Sequence, residues 1–586
     1  MKSNNKSLLS IISDVADYQP HQGRDANKFV EKVLYANPDP SGNIHSKGDV
    51  IKAFRTMKKN GEIGLSDKQE KQFFENIRMK NVRTISGVTP VTVLTKPFPC
   101  PGKCIFCPND VRMPKSYLSN EPGAQRAESN KFDPYFQTFN RLVALNNIGH
   151  PTDKIEIIIL GGTWTSYPES YQVWFVKRIF EALNDFDAKE NPEVINPEDI
   201  EMPYAEDLLA KAGGDSINRT YNQIVTEALN AKKHKGITES ASWDELFKEH
   251  ERNVSAKTRC VGLVIETRPD EINQEEVIRI RRLGATKIQL GVQSLDDEVL
   301  KQNKRGHDVL KTAEAFKIVR EAGFKIHIHW MPNLLGSTPE KDIDDYRRLF
   351  DDPRFRPDEI KIYPCSLIES AELMKYYKNG SWKPYSYGDL LKVLTFAYKY
   401  TPSYCRITRM IRDIPSTDIV AGNLKTNFRQ LVENNLDREK HEVNEIRSRE
   451  IKNQNVDYSN LKLNTISYDS AISEEFFIEF TTHENRIVAF LRLSLPYNTQ
   501  DQFIDELKSS AIIREVHVYG RSMELGKKHK GGAQHAGLGN KLIHKAFELA
   551  TNEGFKKIAV ISSIGTKEYY NKYGFNQTGL YQIKEI

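Results

Sequence analysis

Cysteine is scarce in this chain: six among 586 residues. So few thiols, with no export signal beside them, exclude a disulfide framework and predict a reducing, cytoplasmic setting. Long apolar runs are missing too. No window approaches eighteen consecutive apolar residues, so no membrane span is expected. The apolar stretch within "MKSNNKSLLSIISDVADYQP" is too short for a secretory signal. There is no internal repeat and no long low-complexity tract. Charge of neither sign dominates, with 84 Lys plus Arg against 79 Asp plus Glu. The balance of 39% hydrophobic and 28% charged residues is that of an ordinary soluble protein, and the length suits two to four domains.

The small positive excess is unevenly placed. Residues 1 to 99 hold 16 Lys plus Arg against 10 Asp plus Glu, and the rest is nearly neutral. A basic first segment points to a polyanion, nucleic acid above all, against the alternative of a solvated lysine-rich face. Residues 27 to 80 read as helical, with apolar residues at helical spacing among charges. From "VTPVTVLTKP" onward the texture becomes strands separated by helices: "KIEIIILGG", "VGLVIETRPD", "KIQLGVQS" and "KIHIHWMPNLLG". That alternation predicts a parallel βα sheet or barrel with its chemistry at the strand ends. Residues 169–258 read as a helical crossover with an insertion, and 396–460 as a charged, helical connector. From 461 antiparallel-looking strands predict a second, smaller α/β domain. The expected divisions are therefore 1–80, 81–395, 396–460 and 461–586.

Three of the six cysteines crowd into "KPFPCPGKCIFCPND": Cys100, Cys104 and Cys107. Thiolates spaced C-x3-C-x2-C can converge on an iron–sulfur cluster, and three ligands for four irons leave one iron open to a small molecule. A structural zinc site needs a fourth ligand, and no Cys or His lies nearby in sequence to supply it. The motif resembles that of the radical S-adenosylmethionine enzymes, Phe106 included. The resemblance implies a 4Fe-4S cluster on the three cysteines and S-adenosylmethionine on its open iron, cleaved to a deoxyadenosyl radical. In "ILGGTW", Gly161 and Gly162 would meet the cofactor's methionine end, and Thr163 stands where the family commonly has an acidic residue. Glu266, Arg268 and Gln293 are polar residues at apolar strand ends, with Glu266 expected to contact the cofactor.

Near the C-terminus, "QHAGLG" fits Q-x-x-G-x-G opening a helix between two strands. Free backbone N–H groups and the helix dipole at such a turn suit a pyrophosphate. With "TKEYYNKYGF" behind it, this region resembles the acetyl-CoA core of the GNAT acetyltransferases. The pair of features resembles one family, the catalytic subunit of Elongator and its single-chain prokaryotic relatives, over most of residues 45 to 586. "SGVTPVTVLTKPFPCPGKCIFCPND", "FDPYFQTFNRL", "RMIRDIPSTDIVAGN", "REVHVYG" and "IGTKEYYNKYGF" carry the likeness.

The fold this implies is α/β: a partial (β/α) radical-SAM barrel, then a GNAT-like domain, behind a basic helical segment that binds tRNA. The implied acetyl-CoA contacts are Lys154, Glu515, Val516, His517, Val518, Gln534, Gly537, Leu538, Gly539, Asn540 and Tyr570, with Lys154 and Tyr570 the catalytic pair. The implied reaction makes 5-carboxymethyluridine at the wobble uridine of the tRNA anticodon, with acetyl-CoA giving up a methyl hydrogen and its two-carbon unit. Relatives carry a cysteine cluster in the connector where this chain has Val443, Glu445 and Ser448, so no zinc is expected. The competing readings are a protein lysine acetyltransferase with a structural cluster, using His517 or Glu515 as base, and a non-enzymatic RNA-binding scaffold. The electron donor and any partner subunits stay open.

Overall fold

The computed structural model describes residues 2–19, 26–79, 86–190, 192–197, 219–230, 239–425, 427–451, 456–519 and 537–586. Four helices come first: α1 (Lys2–Asp17), α2 (Ala26–Ala36), α3 (Lys47–Lys59) and α4 (Asp67–Ile77). Ser46 with Asp49, and Ser66 with Gln69, form reciprocal caps that start α3 and α4 where the apolar periodicity begins. Ile11, Ile12, Val15, Val30, Ile51, Phe54 and Phe73 pack into a core of their own. This bundle docks on the next domain through basic side chains. Arg55 Nη2 donates to the Asn146 carbonyl at 2.9 Å, and Arg78 Nε to the Gly149 carbonyl at 2.8 Å.

The central body is a seven-stranded sheet of β1 (Thr89–Leu94), β2 (Lys154–Leu160), β3 (Arg259–Thr267), β4 (Lys287–Gln293), β5 (Lys325–Trp330), β6 (Glu359–Ile362) and, past the two-residue β7 (Leu367–Ile368), β8 (Arg406–Arg409). Neighbours follow chain order and every pair is parallel. All C-terminal strand ends therefore lie on one rim and all N-terminal ends on the other. The outward faces are apolar, as in Ile288, Leu290 and Val292, and are covered by helices such as Glu169–Asp185. The inward face is polar. Lys287 and Lys325 both reach Glu359 at 3.0 Å, and Lys361 Nζ donates to Gln289 Oε1 at 2.6 Å. A barrel of this kind is ordinarily filled by branched apolar side chains. Buried polar layers cost free energy unless paired, so their presence marks an interior kept for something other than packing.

The short β9 (Ile419–Ala421) pairs with β7, and helices over 428–438 and 446–449 lead onward. There the Glu445 carboxylate accepts from the Ile407, Arg447 and Ser448 N–H groups, from the Ser448 hydroxyl and from Arg429.

The second sheet runs β10 (Lys462–Asp469), β11 (Ser473–Thr481), β12 (Ile487–Pro496), β13 (Ser510–Val518), β14 (Lys557–Val560), β16 (Tyr581–Glu585) and β15 (Asn576–Thr578). It is antiparallel except for β13 with β14. That parallel pair spans only Ser510–Ile513 against Lys557–Val560, although β13 continues to Val518. The two strands part beyond Ile513, which leaves one edge of Arg514–Val518 without a β14 partner.

This domain seals the N-terminal rim of the barrel. Arg281 Nη2 donates to the Ser562 and Leu580 carbonyls, Ser563 Oγ to the Cys260 carbonyl, and Lys325 pairs with Glu515 at 2.5 Å. Asp358, fully buried just before β6, takes Arg514 at 2.7 Å and Arg492 at 3.3 Å.

Candidate functional site

The loop after β1 carries the three cysteines over the C-terminal rim. Cys104 Sγ accepts from Arg305 Nη1 at 3.1 Å and from Arg268 Nη1 at 3.5 Å. A hydrogen bond from Cys107 holds the Cys104 thiol well below its ordinary pKa against the opposing effect of burial, helped by the Arg305 and Arg268 charges. Cys107 is correspondingly raised, by that same bond and by burial, and lies 3.2 Å from Ser116 Oγ. Cys100 points elsewhere, with Sγ 3.5 Å from Thr163 Oγ1 at the end of the glycine turn. The structure thus brings two of the three thiols together and sets the third on the neighbouring turn. Among the described residues no three Cys, His, Asp or Glu side chains are grouped as a metal site.

The surroundings fit an anionic cluster nevertheless. Two guanidinium groups face the thiols, and Arg305 Nε and Gln293 Oε1 are buried without partners. Gly102 is needed where it stands, because a Cβ there would lie 2.1 Å from Arg268 Nη1. Gly161 and Gly162 follow β2 with φ of 147° and 90°, and Gln293 has φ 72°. A Cβ on Gly161 would lie 1.7 Å from Thr95 Oγ1, so the backbone comes as close to the rim as a chain can. Gly161→Ala should therefore cost about 1–3 kcal/mol through clash and backbone strain. Thermal unfolding reads this directly, and an unchanged midpoint would mean that the turn is not held in this conformation.

Glu266 ends β3 inside the barrel. Its carboxyl, raised by burial, accepts from Tyr117 Oη at 3.2 Å and lies 3.6 Å from His329 Nδ1. Lys154 sits at the far rim. Its strand is seven residues long, so it lies about 20 Å from the glycine turn at about 3.3 Å per residue. Burial lowers its ammonium pKa, with Asp153 opposing and Arg259 adding to the shift. Arg259 is its neighbour across the sheet and bonds Glu568, two residues before Tyr570.

The parted half of β13 carries Glu515, Val516, His517 and Val518. The helix Leu538–Asn552 starts beside it, from Gly537 at φ 66°. A Cβ on Gly539 would lie 2.3 Å from Tyr569 Oη and 3.7 Å from Val518 Cγ2. Tyr570 is buried with its pKa raised, first by burial and then by the Glu515 charge. His517 is lowered by burial, and its Nε2 has no partner. Asn540 is exposed at the helix start. Gln534 lies outside the described residues.

The polar barrel interior was not found from the sequence as a site. Its signal is the alternation of polar and apolar residues within "KIHIHW" and "KIQLGVQ", runs otherwise readable as ordinary buried strands.

Comparison with known proteins places these features together. The Radical SAM superfamily model matches residues 203–349, and the Radical_SAM C-terminal domain matches 357–438. The tRNA uridine(34) acetyltransferase of Methanocaldococcus infernus is 36% identical over 89% of this chain and 90% of its own length. That of Dehalococcoides mccartyi is 36% identical over 86% and 99%. Human Elongator complex protein 3 is 30% identical over 88% and 87%. The solved structure of archaeal M. infernus Elp3 with an N-terminal deletion (1–46) superposes with a TM-score of 0.67. It covers 86% of this chain and all of that one at 33% identity.

Proposed function

The chain belongs to the family of tRNA uridine(34) acetyltransferases and Elongator complex protein 3, and from that membership we propose that it forms 5-carboxymethyluridine at the wobble uridine of tRNA from acetyl-CoA. The observation that carries this reading is the arrangement of two chemistries on one barrel. A thiol loop caps one rim, a parted GNAT-type strand pair seals the other, and the interior between them is polar.

Cys100, Cys104 and Cys107 would hold a 4Fe-4S cluster, with Gly161 and Gly162 admitting S-adenosylmethionine closely. When bound, these two supply a one-electron homolysis that side chains cannot perform. The protein's own part is electrostatic and positional. Arg268 and Arg305 balance the negative charge of the thiolates. The N–H groups at Gly537, Leu538, Gly539 and Asn540 suit the pyrophosphate of acetyl-CoA. The free edge of Glu515–Val518 suits its amide-bearing arm, with Tyr570 beside it and Lys154 at the barrel floor. The seal at this rim excludes water from the interior. The lysines left over on α1–α4 suit the phosphates of an anticodon stem-loop, since Arg55 and Arg78 are spent on docking.

The decisive experiment is mass analysis of tRNA nucleosides after anaerobic incubation with S-adenosylmethionine, acetyl-CoA and reductant. 5-Carboxymethyluridine should accumulate. Lys154→Ala should lower its yield by about 10²-fold through misplacement of the acyl group, while iron content stays that of the wild type. Acetylated lysine on a bystander protein, with tRNA unchanged, would favour the protein acetyltransferase reading instead.

A further inference from the structure

One cluster inside the barrel is used by none of these assignments as it stands. His329 Nε2 lies 3.1 Å from Gln289 Oε1. Lys361 Nζ, which can only donate, lies 2.6 Å from that same atom. The atom is therefore the amide oxygen, and His329 must donate to it through Nε2. Burial holds the imidazole well below its ordinary pKa, so it is neutral and Nδ1 is a bare acceptor. Nδ1 faces Glu266 Oε1 at 3.6 Å, a second acceptor. Among the described residues no donor reaches either atom. Two acceptors face each other across a gap with the donor between them missing.

Donors flank that gap. Lys361 has two N–H bonds beyond the one given to Gln289. Arg412 gives Nη2 to Glu121 at 2.6 Å and to the Ser116 carbonyl, and its plane lies over Tyr117 with the guanidinium carbon 5.2 Å from the ring centroid. Tyr363 lies 5.5 Å from the His329 ring. The Glu266 side chain is 17% exposed and that of Arg412 27%, so the cluster opens onto space rather than closing on itself. It adjoins the cysteine loop, because Tyr117 follows Ser116, whose hydroxyl touches Cys107.

A uracil ring presents one N–H donor between two carbonyl acceptors, the complement of two acceptors flanked by cations. We propose that Glu266 and His329 are the specificity-determining residues that receive the N3–H of the flipped wobble uracil, with Lys361 and Arg412 on its carbonyl oxygens. This rests on the tRNA reading above and reassigns Glu266 from the cofactor to the base. Cytosine offers a lone pair at N3 and meets two acceptors, so it is repelled. Edge readout by hydrogen bonds is specific in this way because a wrong partner leaves buried polar groups unpaired.

The test uses the full chain and anticodon stem-loops carrying uridine, cytidine or 3-methyluridine at the wobble position. These compete against a 4-thiouridine stem-loop for photo-crosslinking within the barrel. Wild type should prefer uridine over both others by about 10- to 100-fold. Glu266→Gln should collapse that ratio and favour cytidine, since an amide can donate to cytosine N3 and accept from its amino group. Its thermal midpoint and S-adenosylmethionine binding should stay unchanged. A uridine-to-cytidine ratio unaltered in Glu266→Gln overturns the proposal. Lost S-adenosylmethionine binding with that ratio intact returns Glu266 to the cofactor. If no stem-loop binds the wild type at all, the tRNA reading itself has failed and the base pocket falls with it.

Discussion

Asp358→Ala is expected to destabilise the junction between barrel and second domain by about 3–5 kcal/mol, the range for a buried pair that loses one partner. Asp358 is fully buried, and so are the groups it serves. Arg514 donates to both its oxygens, at 2.8 and 2.7 Å, and Arg492 stands at 3.3 Å. The Ile326 N–H donates to it as well, at 2.8 Å. Alanine would leave two guanidinium groups facing each other in the interior with only Glu475 and Glu515 to share. Burial alone would raise the carboxyl's pKa, but Arg514 and Arg492 overcome it and hold the group well below the carboxylate range. Its folded pKa is depressed, so its stabilisation is fully present above the unfolded value of about 3.9 and is lost as pH falls below it. The difference in thermal midpoint between wild type and Asp358→Asn should therefore be largest near neutrality and shrink toward pH 3. A difference independent of pH would show that shape, not charge, holds the junction.

What could be read from the chain beforehand follows from how local each signal is. "KIEIIIL" and "VGLVIET" are apolar runs bounded by glycine or proline, and they form parallel strands because both faces are covered. The cysteine loop is legible because ligand spacing is local. The Asp358 junction is not, because its partners come from strands more than a hundred residues away. Each arginine alone looks like any solvated cation on a strand. His327 and His329 lie in plain view within a strand, but their meaning depends on Gln289, Lys361 and Glu266, which only the barrel's closure brings alongside. Helix α1 escaped the helical reading that began at residue 27. Its apolar positions, Ile11, Ile12 and Val15, are few, and they become a core only when α2–α4 supply the other side. The parting of β13 from β14 also has no sequence signature, since "REVHVYG" looks like any strand. The position of Lys154, at the rim opposite the cysteines, follows from strand direction once the sheet is known to be parallel.

Cys104→Ser should abolish iron retention and tRNA modification together. Wild-type protein reconstituted without oxygen should hold about four irons per chain on three thiolates. Cys104 is the thiol that Arg305 and Arg268 already favour as thiolate. A serine there has an ordinary hydroxyl and remains protonated, so the site loses both a ligand and the charge that the two arginines balance. Replacing Arg305 by Met should act more mildly, lowering cluster retention about 10- to 100-fold, as loss of a group bonded to a ligand does. The other three cysteines give the contrast. Burial pushes Cys260 and Cys365 each up to about 12, and Cys405 is raised as well. Each is an inert buried thiol far from any guanidinium-lined loop. Single serine variants at these positions should keep full iron content and the visible absorption of the cluster. Iron analysis and absorption spectra read all of these variants before any substrate is added. A Cys104→Ser protein with wild-type iron and spectrum would remove this loop from the cluster, whatever its activity toward tRNA.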